Sequence, residues 1–340
     1  AFVPEKPLAI NALLALTLLE SGRRAEAVRA LDFLLSSCCA PGGALNPCLT
    51  SSRESCAFTP EQVCAALGGE DGLRVCRLLG LRRQHAGLPP RVTPSRFSPV
   101  EDFPAEDLPR TPTLPAQLTP EDAAFLRRVM PQLQRVRAAR TPPISAPCIL
   151  SEDCALAAAV FAQCGRRLGE SRYIQAAQRA VGYLTALSPA LPPSYSPVSA
   201  LHAQLTCGAG AALALALLTL GQAEELHTYR ESGLRLLGAA LHAFTTPSGM
   251  PMHTPQDAAA FFPRIPAIWD SELPSPAALL LHALALADAC RPQAGYRDAA
   301  HILWEAAAPY AHQQPLACAG LIDAADLTLS ESREAPPHPQ

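Results

Sequence analysis

The feature that most constrains the fold is an alternation between two kinds of helix in the second half of the chain. Three segments are apolar on nearly every side, and each is followed after a short turn by an amphipathic one: 152–168 with 171–187, 201–221 with 223–244, and 276–290 with 294–311. A helix that is apolar all round belongs inside a core, whereas an amphipathic helix needs water along one face. The alternation therefore predicts an inner and an outer layer of helices.

The composition favours an all-α class. Ala and Leu dominate, runs of Val, Ile and Thr are hard to find, and the 35 prolines must lie in connections because proline breaks helix interiors. We predict an α/α toroid of helical hairpins. A superhelical solenoid is less favoured, since both helices of each of its hairpins would share a similar amphipathicity.

The domain organisation follows from the remaining helical segments, which are predicted at 8–21, 24–38, from Thr59, at 70–80, 119–140 and 315–329. They extend the toroid to a single domain over residues 1–330. Residues 87–118 are dominated by proline and lack apolar periodicity, so we expect an excursion laid over the surface. Residues 331–340 are predicted to be a disordered tail.

Charge and cysteine content exclude several classes of function. The net charge of −3 with scattered arginines provides no basic face for nucleic acid. The apolar run 205–220 is shorter than the roughly 18–20 residues of a membrane span, so no membrane association is expected. The 12 cysteines form no CxxC motif and have no metal-ligand spacing with histidine, which predicts neither a metal nor a cofactor. A disulfide framework is compatible with the even count, but no signal peptide is visible, so a reduced, cytoplasmic protein is expected.

Candidate site residues lie in the segments that lead into the apolar helices, because ligands of a toroid bind where these segments gather. The stretch from Ile265 ends at Ser275-Pro276, a typical helix N-cap and first-turn proline. It carries Asp270 and Glu272, the predicted catalytic residues. The predicted binding residues are Trp269, His202, Glu152, Asp153 and Tyr195. A plainer interpretation is that the two acids are solvated near a helix N-terminus, where negative charge is favourable.

Six stretches resemble, in order along the chain, one family of thioredoxin-domain proteins, which includes spermatogenesis-associated protein 20 and its bacterial relatives. They cover residues 3–14, 58–63, 146–156, 173–184, 204–209 and 270–278. The family's W-T-P-E-E-I is similar to F-T-P-E-Q-V at 58–63, and its D-G-A-E-P-S-G-N-S falls on 270–278, where Asp270, Pro274 and Ser275 are kept.

The resemblance implies a six-hairpin toroid similar to N-acylglucosamine 2-epimerases and six-hairpin glycosidases. It also implies that the thioredoxin domain and the first hairpin of the family are missing here, so that the toroid is incomplete, with about five of six hairpins. The ring would then be completed by a missing N-terminal segment or by another chain.

Three functions follow as alternatives. At 146–156 the acids, Lys, Trp and Asn of the family are replaced, which favours a divergent, catalytically inactive toroid that binds a carbohydrate-like small molecule or a partner. The second is a carbohydrate-active enzyme, a sugar epimerase, isomerase or glycosidase, using Asp270 and Glu272 with a histidine: His202, His242, His253 or His282. The third is an α-solenoid scaffold for protein interactions.

Overall fold

A computed structural model describes residues 5–40, 42–50, 58–81, 118–140, 144–145, 148–187, 194–195, 205–222, 226–257 and 264–329. Within these ranges lie twelve α-helices: α1 Leu8–Glu20, α2 Arg24–Ser37, α3 Pro60–Leu67, α4 Gly69–Leu79, α5 Pro120–Ala138, α6 Ser151–Leu168, α7 Ser171–Ala186, α8 Cys207–Leu220, α9 His227–Phe244, α10 Pro276–Cys290, α11 Tyr296–Gln313 and α12 Ala319–Leu329. A 3₁₀ helix, Pro315–Cys318, precedes α12. The predicted all-α class is confirmed.

The strands are short, with two or three residues each. They are β1 Glu5–Pro7, β2 Cys48–Thr50, β3 Ile144–Ser145, β4 Ile149–Leu150 and β5 Ser194–Tyr195. Strands β1, β2 and β3 form one sheet in that order. Strand β4 pairs antiparallel with β5, with Ile149 opposite Tyr195, directly before α6 begins.

The chain groups into two compact units, residues 1–5 with 50–144 and residues 6–49 with 145–340. The single domain over 1–330 stays a prediction. In the first unit, α3 packs against α4 and α5 around a small core: Val63, Val75, Cys76, Phe125, Leu126, Val129 and Leu133. The predicted excursion at 87–118 lies outside the described residues except for Leu118, and the tail at 331–340 lies wholly outside them.

The second unit has the two layers expected of an α/α toroid. Its inner helices pack side by side in the order α1, α6, α8, α10 and α12. The outer helices α2, α7, α9 and α11 each pack on the inner helix that precedes them in the chain. The buried residues of α9 form one helical stripe, namely Gly233, Leu234, Leu237, Ala240 and Phe244, which leaves its other faces to water. The arrangement predicted from the alternation is therefore confirmed for this unit.

Helix α8 is the most deeply buried of the inner helices. Every residue of α8 except Leu215 is buried. Helix α1, at one end of the inner row, differs because Ile10 and Leu14 on it are exposed. The predicted completion of the ring by further residues or another chain stays a prediction.

Local capping determines where the helices begin. Thr59 and Gln62 form a reciprocal capping box at α3, and the Thr119 hydroxyl accepts a hydrogen bond from the Asp122 N–H at α5. The helix predicted from residue 201 does not include residues 205–206, because α8 begins at Cys207. The Thr206 hydroxyl accepts from the Ala209 N–H at 3.2 Å, which makes Thr206 the N-cap of α8.

Candidate functional site

The N-terminal ends of the inner helices α6 and α10 line one cleft, and the start of α8 lies against the Glu152 side chain. The cleft has a volume of about 380 Å³ and is open to solvent. The described residues that line it are Glu152, Asp153, His253, Trp269, Asp270, Ser271, Leu273, Pro274, Ser275 and Pro276. Segments separated by more than 100 positions in the sequence thus meet at one end of the inner layer.

Helix α6 contributes two carboxyl groups from its first turn, Glu152 and Asp153. Burial raises the pKa of Glu152 to about 7, and the neighbouring charge of Asp153 adds to the shift. Burial also raises the pKa of Asp153 to about 6; a backbone hydrogen bond opposes this shift, and the charge of Glu272 adds to it. Both groups are therefore able to exchange protons near neutral pH, which is the condition for general acid–base chemistry.

Gly208, in the first turn of α8, provides the space for the Glu152 carboxyl group. A Cβ atom built on Gly208 would overlap that carboxyl group. Glu152 also faces the buried Cys207 thiol, whose pKa is raised to about 12, first by burial and then by the charge of Glu152. The start of α8 thus contributes to the burial that raises the pKa of Glu152.

The Asp270 carboxylate is hydrogen-bonded to the backbone at the starts of two helices. One of its carboxylate oxygens accepts a hydrogen bond from the Ser275 N–H at 2.8 Å, and the other accepts from the Gly320 N–H at 2.6 Å. Its own N–H donates to the Ala317 carbonyl oxygen at 2.7 Å. Asp270 therefore holds the starts of α10 and α12 together, and both of its oxygens are occupied.

Trp269 forms the aromatic part of the cleft wall. Its ring contacts Tyr310 of α11 edge to face, with centroids 6.2 Å apart and planes at 87°. The preceding residues Ala267 and Ile268 are fully buried. The indole therefore packs against α11 and the core of the second unit, and it also borders the cleft.

His253 reaches the cleft from the segment that follows α9. Two backbone hydrogen bonds fix this residue. The His253 backbone N–H donates to the Ile265 carbonyl oxygen at 2.9 Å, and the His253 carbonyl oxygen accepts from the Cys207 N–H at 3.2 Å. Burial lowers the pKa of its imidazole below the usual value. The local sequence does not identify His253 as the histidine that lines the cleft, because these contacts join residues that are far apart in the chain.

The structure brings together four of the seven predicted site residues: Trp269, Asp270, Glu152 and Asp153 line the cleft. Glu272 is exposed and is not among the described lining residues, although its charge acts on Asp153. Tyr195 lies in β5, paired with β4 beside the start of α6. His202 lies outside the described residues. The catalytic role of Asp270 and Glu272 stays a prediction.

Two further observations concern the described residues only. No three side chains among their His, Cys, Asp and Glu gather as a metal-binding group. None of their helices is both long enough and apolar enough to cross a membrane. The cytoplasmic location stays a prediction.

Comparison with solved structures finds several structural neighbours. A crystal structure of D-mannose isomerase is similar to this chain with a TM-score of 0.43 and 12% sequence identity, over 90% of this chain and 76% of that one. No family model and no curated protein sequence matches the chain. The two-layer arrangement described above is independent of this comparison.

Proposed function

We propose that the cleft binds an uncharged polyhydroxylated small molecule of monosaccharide size. The observation that carries the proposal is the position of Trp269 beside the carboxyl groups of Glu152 and Asp153 in one cleft of about 380 Å³. Aromatic rings pack against the C–H faces of a sugar, while carboxylates accept hydrogen bonds from its hydroxyl groups. The volume is at the lower end of the range for small-molecule pockets.

The charge of the cleft supports an uncharged ligand over a phosphorylated one. None of the described lining residues is Lys or Arg, and the acids in or near the cleft are Glu152, Asp153, Asp270 and Glu272. A sugar phosphate would enter without a counter-charge and would be repelled by these carboxylates. The likeness to D-mannose isomerase is too weak to add to this argument.

Tryptophan fluorescence tests the binding, because the chain has only two tryptophans. In a Trp304→Phe variant, Trp269 is the sole reporter, and titration with D-mannose, D-glucose or D-fructose is expected to give a saturable change in emission. In calorimetry, Trp269→Ala is expected to weaken the binding about tenfold, an effect of roughly 1.4 kcal/mol.

The matched control is Trp269→Phe, which keeps an aromatic wall and is expected to retain most of the affinity. Absence of heat and emission change with all three sugars would contradict the proposal and would favour the protein-interaction scaffold instead. Unchanged affinity in Trp269→Ala would place the ligand elsewhere.

A second candidate function is proton transfer on such a sugar, as in a sugar epimerase or isomerase. It is favoured by the pKa of Glu152, about 7, in a group that borders the ligand space. We infer that Glu152 accepts the proton from the carbon next to the sugar carbonyl and that Asp153 exchanges a proton with an oxygen of the ligand. This moves the acid–base role from Asp270, whose two oxygens accept backbone hydrogen bonds, to the first turn of α6.

Exchange in D₂O of the C2 hydrogen of D-mannose, or of a C1 hydrogen of D-fructose, is measured by proton NMR and tests this step. The exchange rate is expected to rise through about pH 7 as Glu152 ionises and to fall at least about a hundredfold in Glu152→Gln. Glu272→Gln is the control, because its exposed side chain is not among the described lining residues, and it is expected to keep exchange within a few-fold. Exchange that survives in Glu152→Gln would assign the base elsewhere.

If sugar binds and no exchange occurs at any pH, the first proposal stands alone. That outcome fits the divergent, inactive toroid expected from the family resemblance. Membership in the thioredoxin-domain family itself stays a prediction.

A further inference from the structure

Two cysteines face each other in the first unit, outside the cleft. Cys64 lies in α3 and Cys76 in α4. The two backbones touch here, because a Cβ atom on Gly72 of α4 would lie 2.6 Å from the Cys64 Cα and 3.0 Å from its Sγ. Only glycine at position 72 allows α4 to approach Cys64 this closely.

The direction of the two side chains favours an approach of the two sulfur atoms. Helical side chains lean toward the N-terminus of their own helix. Since the chain turns back at Gly68, where φ is +89°, Cys64 leans toward the start of α3 and Cys76 leans back toward Gly72. Burial raises the pKa of the Cys76 thiol to about 11, and the neighbouring Cys64 thiol adds to the shift.

The two thiols differ in access to solvent. Cys76 is 1% exposed and belongs to the core of the first unit. Cys64 is half-buried, so a small reagent is able to reach it. The accessible thiol is able to attack an external disulfide first, and the protected thiol is then able to resolve the mixed disulfide.

We propose that Cys64 and Cys76 form a reversible dithiol–disulfide site that is oxidised by a low-molecular-weight disulfide such as oxidised glutathione. The Cys64 thiolate attacks one glutathione sulfur, forms a mixed disulfide and releases a glutathione thiolate. That thiolate takes the proton of Cys76, and the Cys76 sulfur then attacks the Cys64 sulfur. The protein disulfide forms, and the second glutathione leaves as a thiolate that water protonates. Two protein thiols and one oxidised glutathione thus give one protein disulfide and two reduced glutathiones.

Mass spectrometry of the full chain tests the site. Cleavage after Arg53, Arg74 and Arg77 places Cys64 and Cys76 on separate peptides. In a Cys56→Ser background, which leaves Cys64 as the only cysteine of its peptide, millimolar oxidised glutathione is expected to join the two peptides in most molecules. Dithiothreitol is expected to separate them. Amide hydrogens of residues 60–79 are expected to exchange about tenfold more slowly in the oxidised form, because the cross-link opposes local opening.

The single variants give the controls. Cys76→Ser is expected to accumulate glutathione at Cys64, and Cys64→Ser is expected to leave Cys76 unmodified in the folded chain. A glutathione adduct that persists at Cys64 while Cys76 is present would overturn the proposal. Joining of the peptides only after urea has unfolded the chain would overturn it as well.

Discussion

Asp270→Ala is expected to destabilise the second unit by about 3 kcal/mol, because two backbone N–H groups lose a charged acceptor at once. These are the N–H groups of Ser275 and Gly320, at 2.8 and 2.6 Å from its carboxylate oxygens. Urea unfolding monitored by tryptophan emission measures the effect, since both tryptophans lie in this unit. Asp270→Asn is expected to lose nearly as much, because its amide group turns a donor toward one of the two N–H groups.

Glu272→Ala provides the matched comparison for Asp270→Ala. It removes an exposed carboxylate two residues away, and its free energy of unfolding is expected to change by less than about 0.5 kcal/mol. If Asp270→Ala lost the exchange of the sugar hydrogen in D₂O but kept its stability, the catalytic role predicted for Asp270 from the sequence would be supported. Loss of stability in both variants to the same degree would contradict the anchoring role.

Glu152→Gln is expected to stabilise the second unit at high pH and to leave it unchanged at low pH. Burial raises the pKa of Glu152 from 4.5 to about 7, so the folded state binds more protons than the unfolded state within this window. The wild-type chain therefore loses stability as pH rises from 4.5 to about 7, whereas Gln carries no such dependence. At pH 8 the variant is expected to be about 2 kcal/mol more stable, with the full shift reduced by solvent at the mouth of the cleft.

Unfolding free energies at pH 4, 6 and 8 give the measurement. Asp153→Asn is expected to show the same sign over the lower window from 3.8 to about 6. A gain that does not depend on pH would contradict the raised pKa of Glu152. A variant that is more stable at pH 8 and has lost C2 exchange would show that the buried carboxyl group is kept for chemistry at the expense of stability.

The two-layer fold is largely predictable from the sequence because its signals are local. The all-round apolar character of residues 207–220 predicts the burial of α8, and the spacing of apolar residues in α9 predicts its exposed faces. Helix starts at Thr59, Thr119 and Ser275 follow from side chains that cap the backbone three residues later. Thr206 carries the same signal, and the earlier predicted start of α8 overlooked it.

The roles within the site depend on partners that no local pattern reveals. Asp270 is an anchor because Gly320, 50 residues later, donates to it. Glu152 titrates near neutral pH because helix packing buries it where Gly208 leaves space. The sequence by itself determined the class of fold, the layer of the six helices α6 to α11 and two of the segments that line the cleft, since periodicity and caps act within a few residues. Only the tertiary structure decided which carboxyl group accepts backbone hydrogen bonds and which one has a pKa near neutral. The physical reason is that hydrogen-bond partners and desolvation come from distant parts of the chain.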